Sequence, residues 1–132
     1  MSHTLSPAVQ ECLVTAAAKA LATTGPASLN VVPVSMINVT ETEIWLFDFF
    51  MGKTVENIIA EPTTALTAWT DMVGVQIKGS VTYHTRDDRF AEGVAFVQNQ
   101  NPERVTKGVF ILTPAHVYDI SPGGHFEESD LF

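Results

Sequence analysis

A chain of 132 residues with 45% hydrophobic and 17% charged side chains is of single-domain size, and its composition is that of a folded protein with a buried core. A net charge of −8 argues against the nucleic-acid backbone and anionic membranes as partners, and leaves only seven Lys and Arg to meet any anionic ligand. The single Cys12 excludes an intrachain disulfide and a cysteine zinc cluster, and reads as a small core residue on the first helix.

No apolar run of about eighteen residues marks a membrane-spanning helix. Met1 to Leu5 lack the basic start and apolar stretch of a signal peptide. A soluble cytoplasmic protein is the expectation. The low charged fraction suggests that a partner subunit covers part of the surface.

Ser6-Pro7 is a helix start, with serine as cap and proline at the first helical position. Val9, Leu13, Ala16, Ala17 and Ala20 follow at helical spacing. The helix is expected to yield near Lys19 to a strand over 20–24, closed by the turn Gly25-Pro26. Residues 29–39 read as one long strand interrupted by Pro33, a place for an edge or a bulge. With the strand over 43–48 it makes an antiparallel hairpin. A second helix runs over 53–60 and stops at Glu61-Pro62. A strand over 63–70 and a strongly alternating one over 75–84 flank the turn at Asp71–Gly74; Gly79 predicts a bulge in the latter. Asp87 or Asp88 caps a third helix reaching Gln100. A last strand over 107–120 is broken or bulged at Pro114, and residues 121–132 read as an irregular, disordered tail. Helices that do not alternate with strands predict a mainly β (α+β) fold, an antiparallel barrel with short helices on its rim.

The richest segment is Met51-Gly52-Lys53-Thr54-Val55-Glu56-Asn57-Ile58, at a strand-to-helix junction. A helix start offers free N–H groups and a positive dipole end, Lys53 a full charge, and Thr54 a hydroxyl. This is phosphate-binding chemistry. It is not a nucleoside-triphosphate loop: where that pattern needs a glycine the chain has Phe47, and Asp48, Phe49, Phe50 and Met51 are too bulky for a glycine-lined cradle. His3, His84, His116 and His125 form no metal-spaced cluster. Trp45 and Trp69 read as core residues, and Asp87-Asp88 as a helix cap.

The ordered blocks Asn30-Val31-Val32-Pro33-Val34-Ser35, Ile44-Trp45-Leu46-Phe47-Asp48, Gly52-Lys53-Thr54-Val55-Glu56-Asn57-Ile58, Glu61-Pro62 and Val75-Gln76-Ile77-Lys78-Gly79 together resemble the pyridoxamine 5′-phosphate oxidase-like family of FMN-binding split β-barrels. In size the chain is similar to the small bacterial FMN-binding proteins of that superfamily. The resemblance implies a homodimer with FMN at the subunit interface. It implies that Lys53 and Thr54, on the helix start formed by Met51 and Gly52, hold the FMN phosphate. It further implies backbone contacts to the ring from Phe47, Asp48 and Phe49, a lining of Val32, Pro33, Val34 and Ser35, and polar contacts from Gln76 and Lys78. Lys78 would either stabilise negative charge on the reduced ring or simply face water.

Chemistry by flavin-mediated electron or hydride transfer is expected, with no side chain evident as catalytic acid or base. The true oxidases are longer and carry an additional C-terminal substrate-binding segment with arginine and histidine; here the tail from Gly123 to Phe132 is acidic and would repel a phosphorylated substrate, which argues against vitamin B6 oxidation. Its Phe126 or Phe132 would reach a flavin edge if the tail were ordered. The alternatives are a non-enzymatic FMN electron carrier, and a split barrel holding haem or a deazaflavin.

Overall fold

The computed structural model describes residues 4–132; His3 and the start of the N-terminus lie outside the described residues. Helix α1 (Pro7–Thr15) leads into β1 (Ala18–Thr23), β2 (Asn30–Pro33), β3 (Ile37–Val39) and β4 (Ile44–Asp48). Then follow α2 (Gly52–Ala60), β5 (Thr63–Thr70), β6 (Val73–His84), α3 (Asp88–Gln100) and β7 (Gly108–Asp119). The strands form one sheet of seven in the order β2-β1-β5-β6-β7-β4-β3, antiparallel throughout.

The long strand expected over 29–39 is two strands, and they occupy opposite edges of the sheet. Only Val34, Ser35 and Met36 separate them. Four Cα steps from Pro33 to Ile37 reach at most about 15 Å. A flat seven-strand sheet would hold its edges roughly 28 Å apart. The sheet is therefore rolled into a curled half-barrel, and the seam between its edges lies at residues 34–36.

Inside the roll, Leu5, Val9 and Leu13 from α1 and its approach pack with Leu21, Ile44, Leu46, Leu66, Val75, Ile77, Phe110 and Leu112, each 0–1% exposed. Each such side chain contributes about 1.5–3 kcal/mol by leaving water. A second cluster lies on the other face of β4 and β7, where Trp45, Phe47, Phe49, Val109 and Ile111 meet Val97 of α3. Every residue of β4 is thus buried, which explains its unbroken apolar run.

The bulge falls where glycine predicted it, between Lys78 and Gly79. Pro114 pairs with Gly79 while His116 pairs with Lys78, so Ala115 is the extra residue and β7 continues past its proline. A Cβ on Gly79 would lie 2.1 Å from the Thr113 carbonyl oxygen, so this close approach requires glycine. Asp87 caps α3 by accepting from the Phe90 N–H at 3.0 Å.

The tail is ordered, against the expectation. Asp119 accepts from the N–H groups of His125 (2.6 Å), Phe126 (2.9 Å) and Ser121 (2.9 Å), folding the chain back across α1. Ser6 donates to the Asp130 carbonyl at the start of α1, and Phe126 and Leu131 pack on the main core. Phe126 sits beside Cys12 in a cavity under α1, not at the seam. Cys12 is only half-buried, and burial raises its thiol pKa.

The His125, Phe126 and Ser121 donors hold the Asp119 carboxyl well below the usual carboxylate range. A depressed folded pKa means that this anchorage is present above about pH 4 and lost as pH falls below it. In Asp119→Ala, limited proteolysis will remove residues 122–132 faster than in the wild type. Equal rates would show that the tail is held by other contacts.

Candidate functional site

At the seam, Val32, Pro33, Ser35, Phe49, Phe50, Met51 and Arg104 line a cavity of about 220 Å³. The chain reaches it through a tight turn after β4. The Asp48 carboxylate, 4% exposed, accepts from the Met51 N–H at 2.8 Å and from the Tyr83 hydroxyl at 2.7 Å. Met51 is the residue before α2, and its carbonyl takes the first helical bond from the Val55 N–H. The N–H groups of Gly52, Lys53 and Thr54 thus have no acceptor among the described residues, and no side chain caps the helix. A Cβ on Gly52 would meet nothing within 4 Å, so the space before this helix start is open.

The expected residues divide into groups. Val32, Pro33, Ser35, Phe49 and Met51 share the cavity, with Gly52 and exposed Lys53 adjoining it in sequence. The Val34 side chain is buried in the main core, and its N–H bonds to the Lys19 carbonyl. The Phe47 side chain is stacked on Phe96, ring centres 5.5 Å apart, and so turns away from the cavity. The carboxylate of Asp48 is spent on the turn. Thr54 is fully buried, and its hydroxyl accepts from Asn30 Nδ2 at 3.0 Å, tying α2 to β2.

Gln76 and Lys78 alternate with the buried Val75 and Ile77, which places them on the outer face of the sheet. Gln76 contacts Thr67 Oγ1 at 3.4 Å, and Lys78 lies 5.4 Å over the Tyr118 ring. One chain does not bring this pair to the seam cavity. Trp45 is 2% exposed in the outer core, and Trp69 is half-buried.

Sequence reasoning missed Phe50, Arg104 and Lys107, which line a cleft beside the seam cavity. The available signal was two of the seven cations three positions apart, just before a strand. It also missed Asn57, whose single side chain makes three hydrogen bonds from the middle of α2. A further hydroxyl–imidazole–carboxylate chain joins Thr82, His84 and Asp87, at 2.7 and 2.6 Å. Its carboxylate is committed to capping α3, and the His84 bond lowers the Asp87 pKa.

A family model described as pyridoxamine 5′-phosphate oxidase matches residues 5–121. The chain belongs to the pyridoxamine 5′-phosphate oxidase family. No curated protein sequence matches it. Among solved structures, tagged HupZ from Group A Streptococcus is similar over 93% of this chain and 99% of its own, with a TM-score of 0.80 at 13% identity. An FMN-binding protein from Syntrophomonas wolfei is similar over 89% of each chain (TM-score 0.72, 13% identity). HutZ, a haem storage protein from Vibrio cholerae, is similar over 88% of this chain and 94% of its own (TM-score 0.69, 13% identity). At these identities the likeness is one of fold. Within the pyridoxamine 5′-phosphate oxidase family, therefore, this chain's own residues must argue for its ligand. No helix among the described residues is long and apolar enough to cross a membrane.

Proposed function

We propose that this protein is an FMN-binding oxidoreductase of the cytoplasm, a single domain that works as a homodimer. The observation that carries the reading is the open start of α2. The N–H groups of Gly52 and Lys53, without acceptors among the described residues, adjoin in sequence an apolar cavity at the seam. A phosphate needs such donors, and a flat ring system needs such walls. Ser35 adds a hydroxyl to the same cavity.

Bound there, FMN would supply electron or hydride transfer. Gly52 and Lys53 would hold its phosphate through their N–H groups and the lysine ammonium, while buried Thr54 fixes the helix start against Asn30. Val32, Pro33, Phe49 and Met51 would exclude water from the ring. The outer-face pair Gln76 and Lys78 would contribute polar contacts only across a subunit interface, which is why the reading includes a second copy.

Added FMN will give the purified protein a stable yellow absorbance. Lys53→Ala will weaken FMN about tenfold, the scale of one charge-assisted hydrogen bond, and leave riboflavin unchanged. Equal FMN affinity in the variant would refute the phosphate assignment. A protein that stays colourless with FMN but takes up haem or a deazaflavin would replace the cofactor. Electron exchange with a partner protein, without turnover of a small molecule, would make it a carrier instead of an enzyme.

A further inference from the structure

A second cleft of about 390 Å³ adjoins the seam cavity and shares Phe49, Phe50 and Arg104 with it. Asn101, Glu103, Val105 and Lys107 complete its walls. The Arg104 guanidinium lies 4.1 Å over the Phe49 ring, and the Lys107 ammonium 5.0 Å over Phe50. Both cations are held by aromatic faces, which leaves their N–H donors pointing elsewhere. Neither has a carboxylate partner among the described residues, whose salt bridges involve only His84–Asp87 and Arg89–Glu43.

In a chain of net charge −8, two unpaired cations in one concavity form a local positive site. Their loop is also fixed in place. The Arg104 N–H bonds to the Asn101 carbonyl at 3.1 Å, the Glu103 N–H to Asn101 Oδ1 at 3.2 Å, and the Lys107 N–H to the Asp48 carbonyl at 2.8 Å. Ligand binding therefore need not order the loop first.

We propose that this cleft binds a small carboxylate with a planar apolar body, and that this carboxylate is the substrate or electron acceptor. The volume lies within the range of small-molecule sites and is too confined for a protein surface. Phe50 and Val105, 88% and 77% exposed, offer the body an apolar lodging. Arg104 and Lys107 hold the anionic end, Arg104 by its paired donors. Glu103 on the rim reduces the local charge to that suited to a monoanion, which favours a carboxylate over a phosphate dianion. The role as substrate rests on the FMN reading, because Arg104 stands between the two cavities; the binding itself does not.

The test uses benzoate as probe and benzyl alcohol as its uncharged counterpart, with and without FMN. Benzoate will saturably shift the amide resonances of Phe49, Phe50, Arg104 and Lys107, and benzyl alcohol will not. Arg104→Gln with Lys107→Gln, which keeps most of each stem on its ring, will weaken benzoate at least tenfold without loss of melting temperature. In the FMN-loaded protein, benzoate will also shift the flavin absorbance. Equal response to both probes, or an unchanged affinity in the double variant, overturns the proposal. So does an Arg104→Gln variant that loses FMN but keeps riboflavin, since the guanidinium would then serve the cofactor phosphate. Benzoate binding in a protein that never takes up FMN supports the cleft and removes the flavin; FMN binding without benzoate binding does the reverse.

Discussion

Asn57→Ala will lower stability by about 3–5 kcal/mol, the largest loss expected from any single polar side chain in this fold. Asn57 is completely buried on α2. Its Oδ1 accepts from the Ala27 N–H at 2.8 Å, and its Nδ2 donates to Thr23 Oγ1 at 3.1 Å and the Ser28 carbonyl at 2.8 Å. One amide thus supplies the hydrogen bonds that the connection between β1 and β2 lacks. Alanine would leave the part-buried Ala27 N–H and Ser28 carbonyl and the buried Thr23 hydroxyl without this partner, each at a cost of up to about 1–3 kcal/mol where water cannot enter. For a chain of this size the melting temperature should fall by about 10–20 °C. Thr23→Ala removes one bond only and should cost about 1 kcal/mol. A small melting shift for Asn57→Ala, no larger than that of Thr23→Ala, would show that the connection is held by other contacts. Gly25 belongs to the same arrangement, since a Cβ there would lie 2.9 Å from Asn57 Oδ1.

Asp48→Ala is expected to cost about 2–4 kcal/mol and to weaken FMN as well, although its carboxylate faces the protein. It leaves the Met51 N–H and the Tyr83 hydroxyl without their acceptor and frees the start of α2. Asp48→Asn keeps an oxygen for Met51 and should be much milder. Burial first, then the hydrogen bond and charge of Asp48, push the Tyr83 hydroxyl above its ordinary pKa. A raised folded pKa means that the folded state holds the proton more tightly than the unfolded chain. That stability is fully present below about pH 10 and is lost as pH rises beyond it, at no more than about 1.4 kcal/mol per pH unit. Tyr83→Phe will flatten this alkaline loss in denaturant titrations across that range. If the variant keeps the wild-type slope, another group carries the titration. FMN affinity undiminished in Asp48→Ala would mean that the turn does not position the helix start.

Local chemistry made most elements readable. Ser6-Pro7, Asp87 and Glu61-Pro62 are boundary signals that act within a few residues, and α1, α3 and the end of α2 follow them. Gly79 marked its bulge because the backbone of β7 approaches too closely for a side chain. The division of residues 29–39 was not legible. Pro33 signalled a break, but nothing local says that the halves go to opposite edges; that depends on which strands pair between them. The order of the tail escaped notice because it depends on Asp119, an ordinary strand residue until His125 and Phe126 reach it.

The site was legible to a similar depth. Gly52-Lys53 marked an open helix start because capping is a short-range property. The cations at Arg104 and Lys107 went unread because their meaning lies in Phe49 and Phe50, which the fold brings beneath them. Periodicity explains why Thr54 and Lys53 differ despite being neighbours: successive helical residues diverge around the axis, so one faces β2 and the other water.

The short link between the sheet's edges also bears on how the chain reaches this shape. Closing a loop of three residues costs little chain entropy, so bringing the two ends of the roll together is not the slow event. The demanding steps are the pairings of Ile44 with Leu112 and of Ala18 with Trp69, which join remote parts of the chain. Folding speed should therefore be governed by β7 finding β4 and by β5 finding β1. Changes at Val34 to Met36 would act mainly on how fast the finished protein opens, and changes along β7 on how fast it forms.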